Sequence, residues 1–446
     1  VAALGSALLL LDVTVVYVAL PVIAHDLRAG FGELQWVIDA FTIVLAATLL
    51  AAGVLGDRHG RRNVFVWGVI VFALGSGLCA AAWSGLALDV SRGVQALGAA
   101  AIFACSLALL AQEFSGAARG VAFGVWGAIT GAAMAFGPLV GGLIIEGLDW
   151  RWIFLVNLPV CLLLVAISLA RVPESRAPSP GRLDVGGAIL FAAACLMLAL
   201  ALTRGNAAGW LSVQILALLI GALLAAIAFV AVELRADEPM LSLSLFRNRA
   251  FSATALVAFA QSVAIYPLLI FLAIYLQEGL GFSALGAGLR LLPMTLLILV
   301  VAPFSGRLTS RLALRVPLIC GLFALSAGLL LLRDIGPGDT WQTMLPGMIV
   351  GGIAIGLISP ALAAAMVSVL PVEQSGMSSG VNNTFRQLGI AMGIAGLGAI
   401  FDARVNAHGA GLGGIVAGLE TVALVAAAVS FTAAVVAWPL LRGHRS

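Results

Sequence analysis

Residues 2–23 read AALGSALLLLDVTVVYVALPVI, twenty-two positions with a single ionisable side chain, Asp12, half-way along. A bilayer-spanning helix takes about 20 mostly apolar residues. This run is therefore long enough to cross, and it places an acid where charge is most costly. Similar runs recur over 34–55, 64–83, 86–111, 120–145, 152–170, 185–203, 211–232, 251–276, 285–308, 316–332, 342–370, 377–401 and 418–441, fourteen in all. Of the 446 residues 62% are hydrophobic and only 10% charged, against about 25% charged in soluble domains. A soluble enzyme, a nucleic-acid binder, a disordered chain and a disulfide scaffold are excluded. The runs are unbroken and lack the ten-residue alternation of barrel strands. The expectation is an all-α membrane protein of 14 transmembrane helices. With Asp12 in its middle and no small-residue cleavage pattern after Pro21, the first run reads as a span and not as a removable leader.

The basic residues are all arginine, and their placement sets the topology, because cytoplasmic loops carry the excess of positive charge. With an even number of spans both ends share a side. One side then carries Arg58, Arg61, Arg62, Arg119, Arg171, Arg176, Arg182, Arg235, Arg247, Arg249, Arg307, Arg311, Arg315, Arg442 and Arg445. The other has Arg28, Arg151, Arg204, Arg290, Arg333 and Arg404. Both termini are expected in the cytoplasm.

The longest polar breaks, RVPESRAPSPGRLD (171–184) and ELRADEPMLSLSLFRNRA (233–250), bracket two spans. A 6 + 2 + 6 arrangement follows: a six-helix bundle over 1–170, a linker with two inserted helices over 171–249, and a second six-helix bundle over 250–446. GVLGDRHGRR (53–62) after the second span is echoed by GRLTSRLALR (306–315) after the tenth. Duplicated halves of this kind mark secondary transporters, whose substrates bind near the midplane between them.

Ionisable groups inside the hydrocarbon are few, and each costs several kcal/mol unless paired, hydrated or neutralised. Asp12 is about 15 Å deep by helical rise. Burial disfavours its charged form and a nearby cation favours it, so such a carboxyl can trade a proton for a substrate. Asp39, in LQWVIDAFT, enters the second span from the opposite side. Asp89 and Arg92 are three apart in the fourth span, close enough to neutralise each other. Arg92 cannot lose its proton and must find an acceptor within the bundle; beside Asp12 it would help release the acid's proton. The second half has no deep acid, which assigns proton chemistry to the first. Tyr17, Gln261, Tyr266, Tyr275, Asn382, Asn383 and Arg386 are candidates for a substrate cavity. In GAAMAFGPLVGG (131–142), Gly137, Gly141 and Gly142 allow close helix approach and Pro138 removes a backbone hydrogen bond. The cysteines (Cys79, Cys105, Cys161, Cys195, Cys320) fall in apolar runs without metal-ligand spacing, and the four histidines are scattered. No metal or cofactor is expected.

GVLGDRHGRR resembles the signature loop of the major facilitator superfamily, Gly-x-Leu-x-Asp-Arg-x-Gly-Arg-Arg, with Gly53, Leu55, Asp57, Arg58, Gly60, Arg61 and Arg62 all fitting. The resemblance implies that Asp57 clamps the inner ends of the two halves, against a helix N-terminus. LDVTVVYVALP, GPLVGG and DWRWIFLVNLP (149–159) are similar to motifs of the fourteen-helix drug:proton antiporter family in the first, fifth and sixth spans. In the fourth span Arg92 and Gln95 match, while Ala96 and Ala104 stand where the family favours glycine and proline. What the resemblance implies is a proton-driven exporter of amphipathic or cationic drugs from the bacterial cytoplasmic membrane, working by alternating access, with small molecules, protons and the bilayer as partners and no nucleic acid. In that cycle Asp12 takes a proton from outside as substrate leaves. The alternative on the same fold is a facilitator-type importer or symporter of a small metabolite.

Overall fold

The computed structural model describes the chain except residues 29, 115, 177–183, 237, 238, 240, 242, 310–312, 334, 337, 369–374, 410 and 442–446. Arg182, Arg311, Arg442 and Arg445 of the charge argument lie outside the described residues. Helix occupies the body of each apolar run: α1 (Ala2–Leu27), α2 (Phe31–His59), α3 (Arg61–Ala80), α4 (Gly85–Glu113), α5 (Gly116–Gly147), a span broken into α6 (Trp152–Leu155) and α7 (Asn157–Arg171), α8 (Val185–Ala208), α9 (Val213–Glu233), α10 (Arg249–Ile274), α11 (Ala284–Thr309), α12 (Arg315–Leu330), α13 (Leu345–Ser368), α14 (Ser375–His408) and α15 (Leu412–Leu440). Local chemistry starts several of them. Ser84, Ser212, Asp184 and Asn248 each accept a backbone N–H of the helix that follows, satisfying donors that the helix itself leaves open.

Crossing a membrane is a stricter test. Among the described residues twelve helices are long and apolar enough. α2 passes only as two segments, Gln35–Leu49 and Ala51–His59, bent by 49°, and would make a thirteenth. α12 is apolar but has 16 residues, about 24 Å of rise against a hydrocarbon core of about 30 Å.

The chain divides into two compact units, one of Val1–Val16, Val22–Met134 and Leu148–Leu243, the other of Tyr17–Pro21, Ala135–Gly147 and Ser244–Ser446. The inserted pair α8 and α9 therefore belongs with the first unit, where α8 packs on both α9 and α2. In lipid no hydrophobic force drives helices together, and small residues that admit close packing take its place. In the first unit α3 meets α4 this way: a Cβ on Gly75 would lie 2.5 Å from the Cα of Gln95. α8 and α9 instead leave Ile189, Leu223, Leu224 and Ile227 exposed, an outer surface suited to lipid tails. In the second unit α10 is innermost, buried almost throughout against α14 and α15, and Phe271 stacks on Phe401 at 4.6 Å. The same unit brings Gly142 onto the backbone of Leu285 and Gly288 onto that of Pro138, with would-be Cβ distances of 2.6 and 2.5 Å.

One boundary differs from the sequence expectation. Residues 53–62 were expected as a loop after a span ending near 55, yet α2 continues to His59 and α3 starts at Arg61. The connection shrinks to Gly60, at φ +108°, a conformation open to glycine and costly for other residues.

Candidate functional site

The centre of the first unit is a buried polar cluster in an otherwise apolar bundle. Asp12 of α1 and Arg92 of α4 are 2% and 1% exposed, and Arg92 Nη1 donates to Asp12 Oδ2 at 2.6 Å. Arg92 Nε donates to the Val37 carbonyl of α2 at 3.1 Å, and Nη1 also to Gln95 Oε1. The guanidinium lies 4.2 Å above the Phe41 ring centroid, a desolvated cation–π contact. The other carboxylate oxygen, Asp12 Oδ1, accepts from Gln95 Nε2 at 3.0 Å and from Asn157 Nδ2 at 2.8 Å. Both amides donate in turn to Ser76 Oγ on α3, at 2.8 and 3.3 Å. The three side-chain groups that bond Asp12 are all donors, one of them a cation, the strong, charge-assisted kind of hydrogen bond.

Gly75 allows the close approach that brings Ser76 to Gln95, and the break between α6 and α7 sets Asn157 at the start of a helix, fully buried. The sequence argument juxtaposed Asp12 and Arg92 and noted Gln95; Ser76 and Asn157 it missed. The signal was present: Asn157 is an amide in a span otherwise of apolar residues, and Ser76 follows the glycine of a helix–helix contact.

Asp39 of α2 has a different setting. It is 0% exposed, and neither carboxylate oxygen meets a hydrogen-bond donor among the described residues.

Where α2 gives way to α3, Asp57 bonds across the Gly60 connection, accepting from Arg61 Nε at 2.8 Å with a second guanidinium contact at 2.7 Å. Arg61 also donates to Gln112 of α4. The carboxylate seated on a helix N-terminus here is Glu174, absent from the sequence argument. It accepts from the backbone N–H groups of Arg62 and Asn63 at 3.1 and 3.2 Å, and Arg61 N–H reaches the Ser175 carbonyl. Arg62 lies 3.8 Å from Glu174, and Arg58 is exposed. Gly60 packs so closely on Glu174 that a Cβ there would meet its carboxylate at 2.6 Å. Gly53 is half-buried nearby.

The cavity candidates all fall in the second unit. Tyr17 and Tyr266 meet edge to face at 6.4 Å, and Gln277 donates to the Val18 carbonyl at 3.0 Å. Gln261 reaches Ser359 at 3.3 Å. Asn382 and Asn383 are buried on α14 and Arg386, one turn on, is half-buried. Gly137, Pro138, Gly141 and Gly142 are buried on α5. Among the described residues no three His, Cys, Asp or Glu side chains gather in a way that could hold a metal ion.

Comparison with known proteins agrees with this architecture. The family profile described as Major Facilitator Superfamily matches residues 2–394. Similar proteins include the "Multidrug resistance protein Stp" of Mycobacterium tuberculosis, 34% identical over 405 residues, 91% of this chain and 75% of that one. The "Tetracenomycin C resistance and export protein" of Streptomyces glaucescens is 33% identical over 411 residues, again 91% and 75%. Among solved structures an auto-inhibited POT family peptide transporter superposes with a TM-score of 0.71 at 17% identity, covering 100% of this chain and 97% of the other, a likeness of fold. With the profile running through nearly the whole chain and relatives a third identical across nine-tenths of it, this multi-pass membrane protein belongs to the Major Facilitator Superfamily.

Proposed function

We propose that the protein is a proton-coupled antiporter that exports amphipathic or cationic drugs or antibiotics across a bacterial cytoplasmic membrane by alternating access. The observation that carries this reading is the burial of Asp12, Arg92 and Asp39, three ionisable side chains in apolar helices of one unit. Such groups are retained inside a bilayer at several kcal/mol each and mark ion and proton paths by default. The relatives named for multidrug resistance and for tetracenomycin C resistance and export supply the substrate class and the outward direction.

In this reading α2 spans the bilayer despite its bend and α12 completes the count, giving fourteen spans as 6 + 2 + 6 over 1–170, 171–249 and 250–446, with both termini cytoplasmic. Asp57, Arg61, Arg62 and Glu174 brace the cytoplasmic ends and bias the access state. The glycines and Pro138 of α5 form a seam on which the transporter rocks. Tyr17, Gln261, Tyr266, Asn382, Asn383 and Arg386 line the substrate path. No cofactor takes part; the energy is that of the proton gradient, about 2.3 kcal/mol per charge per 100 mV.

The test is an efflux screen with chemically diverse dyes and antibiotics in cells and inverted vesicles, with and without a proton uncoupler. Export abolished by the uncoupler supports the reading. Accumulation driven by an inward proton gradient would replace it with import, and uncoupler-resistant export would remove proton coupling.

A further inference from the structure

Among the described residues of the first unit three acids are buried: Glu233, which closes α9 and accepts the Leu241 N–H, and, deep within their helices, Asp12 and Asp39, whose surroundings are opposite. Asp12 holds an ion pair and two amide hydrogen bonds, Oδ1 accepting from Gln95 and Asn157 and Oδ2 from Arg92. A proton on Oδ1 would have to displace an amide donor, and one on either oxygen would take the counter-charge from the Arg92 guanidinium, which cannot lose its own proton. Asp39 is equally buried, and among the described residues no donor reaches either of its oxygens. An ionised carboxylate in that position lacks every form of compensation; a neutral acid needs none.

The reason lies in helix geometry. Arg92 reaches α2 at the Val37 carbonyl and lies over the Phe41 ring. Helical periodicity puts Asp39 about 200° around α2 from Phe41, on another face, so the cation is spent elsewhere. Of the elements packed on α2, α4 carries Asp89 and Arg92, the latter committed to Asp12. α3 brings the buried thiol of Cys79, 3.8 Å from Gln95. The ionisable residues of α8 are Cys195, buried, and Arg204, exposed. Among the described residues no cation and no hydrogen-bond donor is bonded to Asp39.

We propose that the transported proton rides on Asp39, while Asp12 stays ionised as the fixed counter-charge of Arg92. The assignment rests on the proton-coupled reading above. The proton is taken from water on one side onto an Oδ of Asp39 and is released as H⁺ to water on the other. A lipophilic cation arriving near Asp39 supplies a positive charge to that carboxyl, and so makes release favourable. Asp39 is about 12 Å of helical rise from the start of α2, deep enough to be gated.

Asp39→Asn is the isostere of the protonated acid, so it should fold as well as wild type while being unable to carry a proton. The experiment is infrared difference spectroscopy of the purified full-length chain on H₂O/D₂O exchange, reading the carbonyl band of protonated carboxyls. It is paired with uncoupler-sensitive efflux of ethidium from inverted vesicles. Expected are the loss of one protonated-carboxyl contribution and of uphill ethidium efflux in Asp39→Asn, and no loss of that contribution when Asp12 is replaced by Asn. An unchanged carboxyl band in Asp39→Asn, uphill efflux retained by that variant, or a marked loss of its thermal stability each overturns the assignment. Should wild-type efflux ignore the uncoupler, or ethidium not be exported, it is the functional reading that fails, and the infrared band alone decides whether Asp39 holds a proton.

Discussion

Removing the Asp12–Arg92 pair first from one side and then from both measures what the buried cluster contributes to the fold. At 2.6 Å between Arg92 Nη1 and Asp12 Oδ2, two unit charges attract by about 6 kcal/mol at an effective dielectric of about 20. Desolvation offsets most of this, so the pair is worth little compared with an apolar replacement, while removing one partner costs about 3–5 kcal/mol because the other is left buried and uncompensated. The two single substitutions differ. Asp12→Asn leaves a guanidinium with neutral partners alone, Gln95 Oε1, the Val37 carbonyl, the Phe41 ring and the new amide oxygen, and no counter-charge, which puts it toward the upper end, about 4–5 kcal/mol. Arg92→Gln leaves a carboxyl that keeps the amide donors of Gln95 and Asn157 and that a proton can neutralise, so about 3 kcal/mol is expected. The double variant, with two amides able to bond each other, should be more stable than Asp12→Asn alone. Cys79, Cys105, Cys161 and Cys195 are buried and Cys320 is exposed. In a Cys320→Ser background, a thiol-reactive dye followed through a thermal ramp in detergent therefore reports opening of the bundle. Single substitutions that each shift the transition negligibly, with additive effects in the double variant, would refute the claim that this is a load shared across one desolvated pair.

The same dye assay checks three further expectations. Asn157→Leu removes the donor to Asp12 Oδ1 and to Ser76 and should cost about 1–3 kcal/mol, whereas an exposed pair such as Arg151 with Asp26 should give less than about 1 kcal/mol on Arg151→Ala. Gly60→Ala forces a side chain into a left-handed conformation and against Glu174, for a loss of about 1–3 kcal/mol; Glu174→Ala should relieve the collision but not the backbone strain. Gly288→Val places a branched side chain on the Pro138 carbonyl and should cost about 1–3 kcal/mol by overpacking, with slowed efflux in vesicles.

Much of this was legible in the chain itself, for identifiable reasons. Asp12 and Arg92 were readable as partners because a charge within an apolar run must be compensated, and few other charges were available. Gly53, Asp57 and the arginines of GVLGDRHGRR were readable as a motif. Their partners were not: Asp57 bonds Arg61 across the Gly60 connection, and the helix N-terminus is satisfied by Glu174, more than a hundred residues away in sequence and unremarkable beside Pro173. Asn157 was likewise hidden among residues that had been read for hydropathy and not for hydrogen bonding.

Length, composition and the spacing of apolar runs were by themselves enough for an all-helical membrane protein, because the bilayer constrains every spanning residue by the same rule and leaves that rule visible in one dimension. Which carboxylate is compensated and which is left bare was beyond such reading. That depends on the rotation of α2 relative to α4 and on an amide brought in from α7. Both acids look alike in an apolar run; only packing, which turns one toward a guanidinium and the other away from it, makes them chemically different.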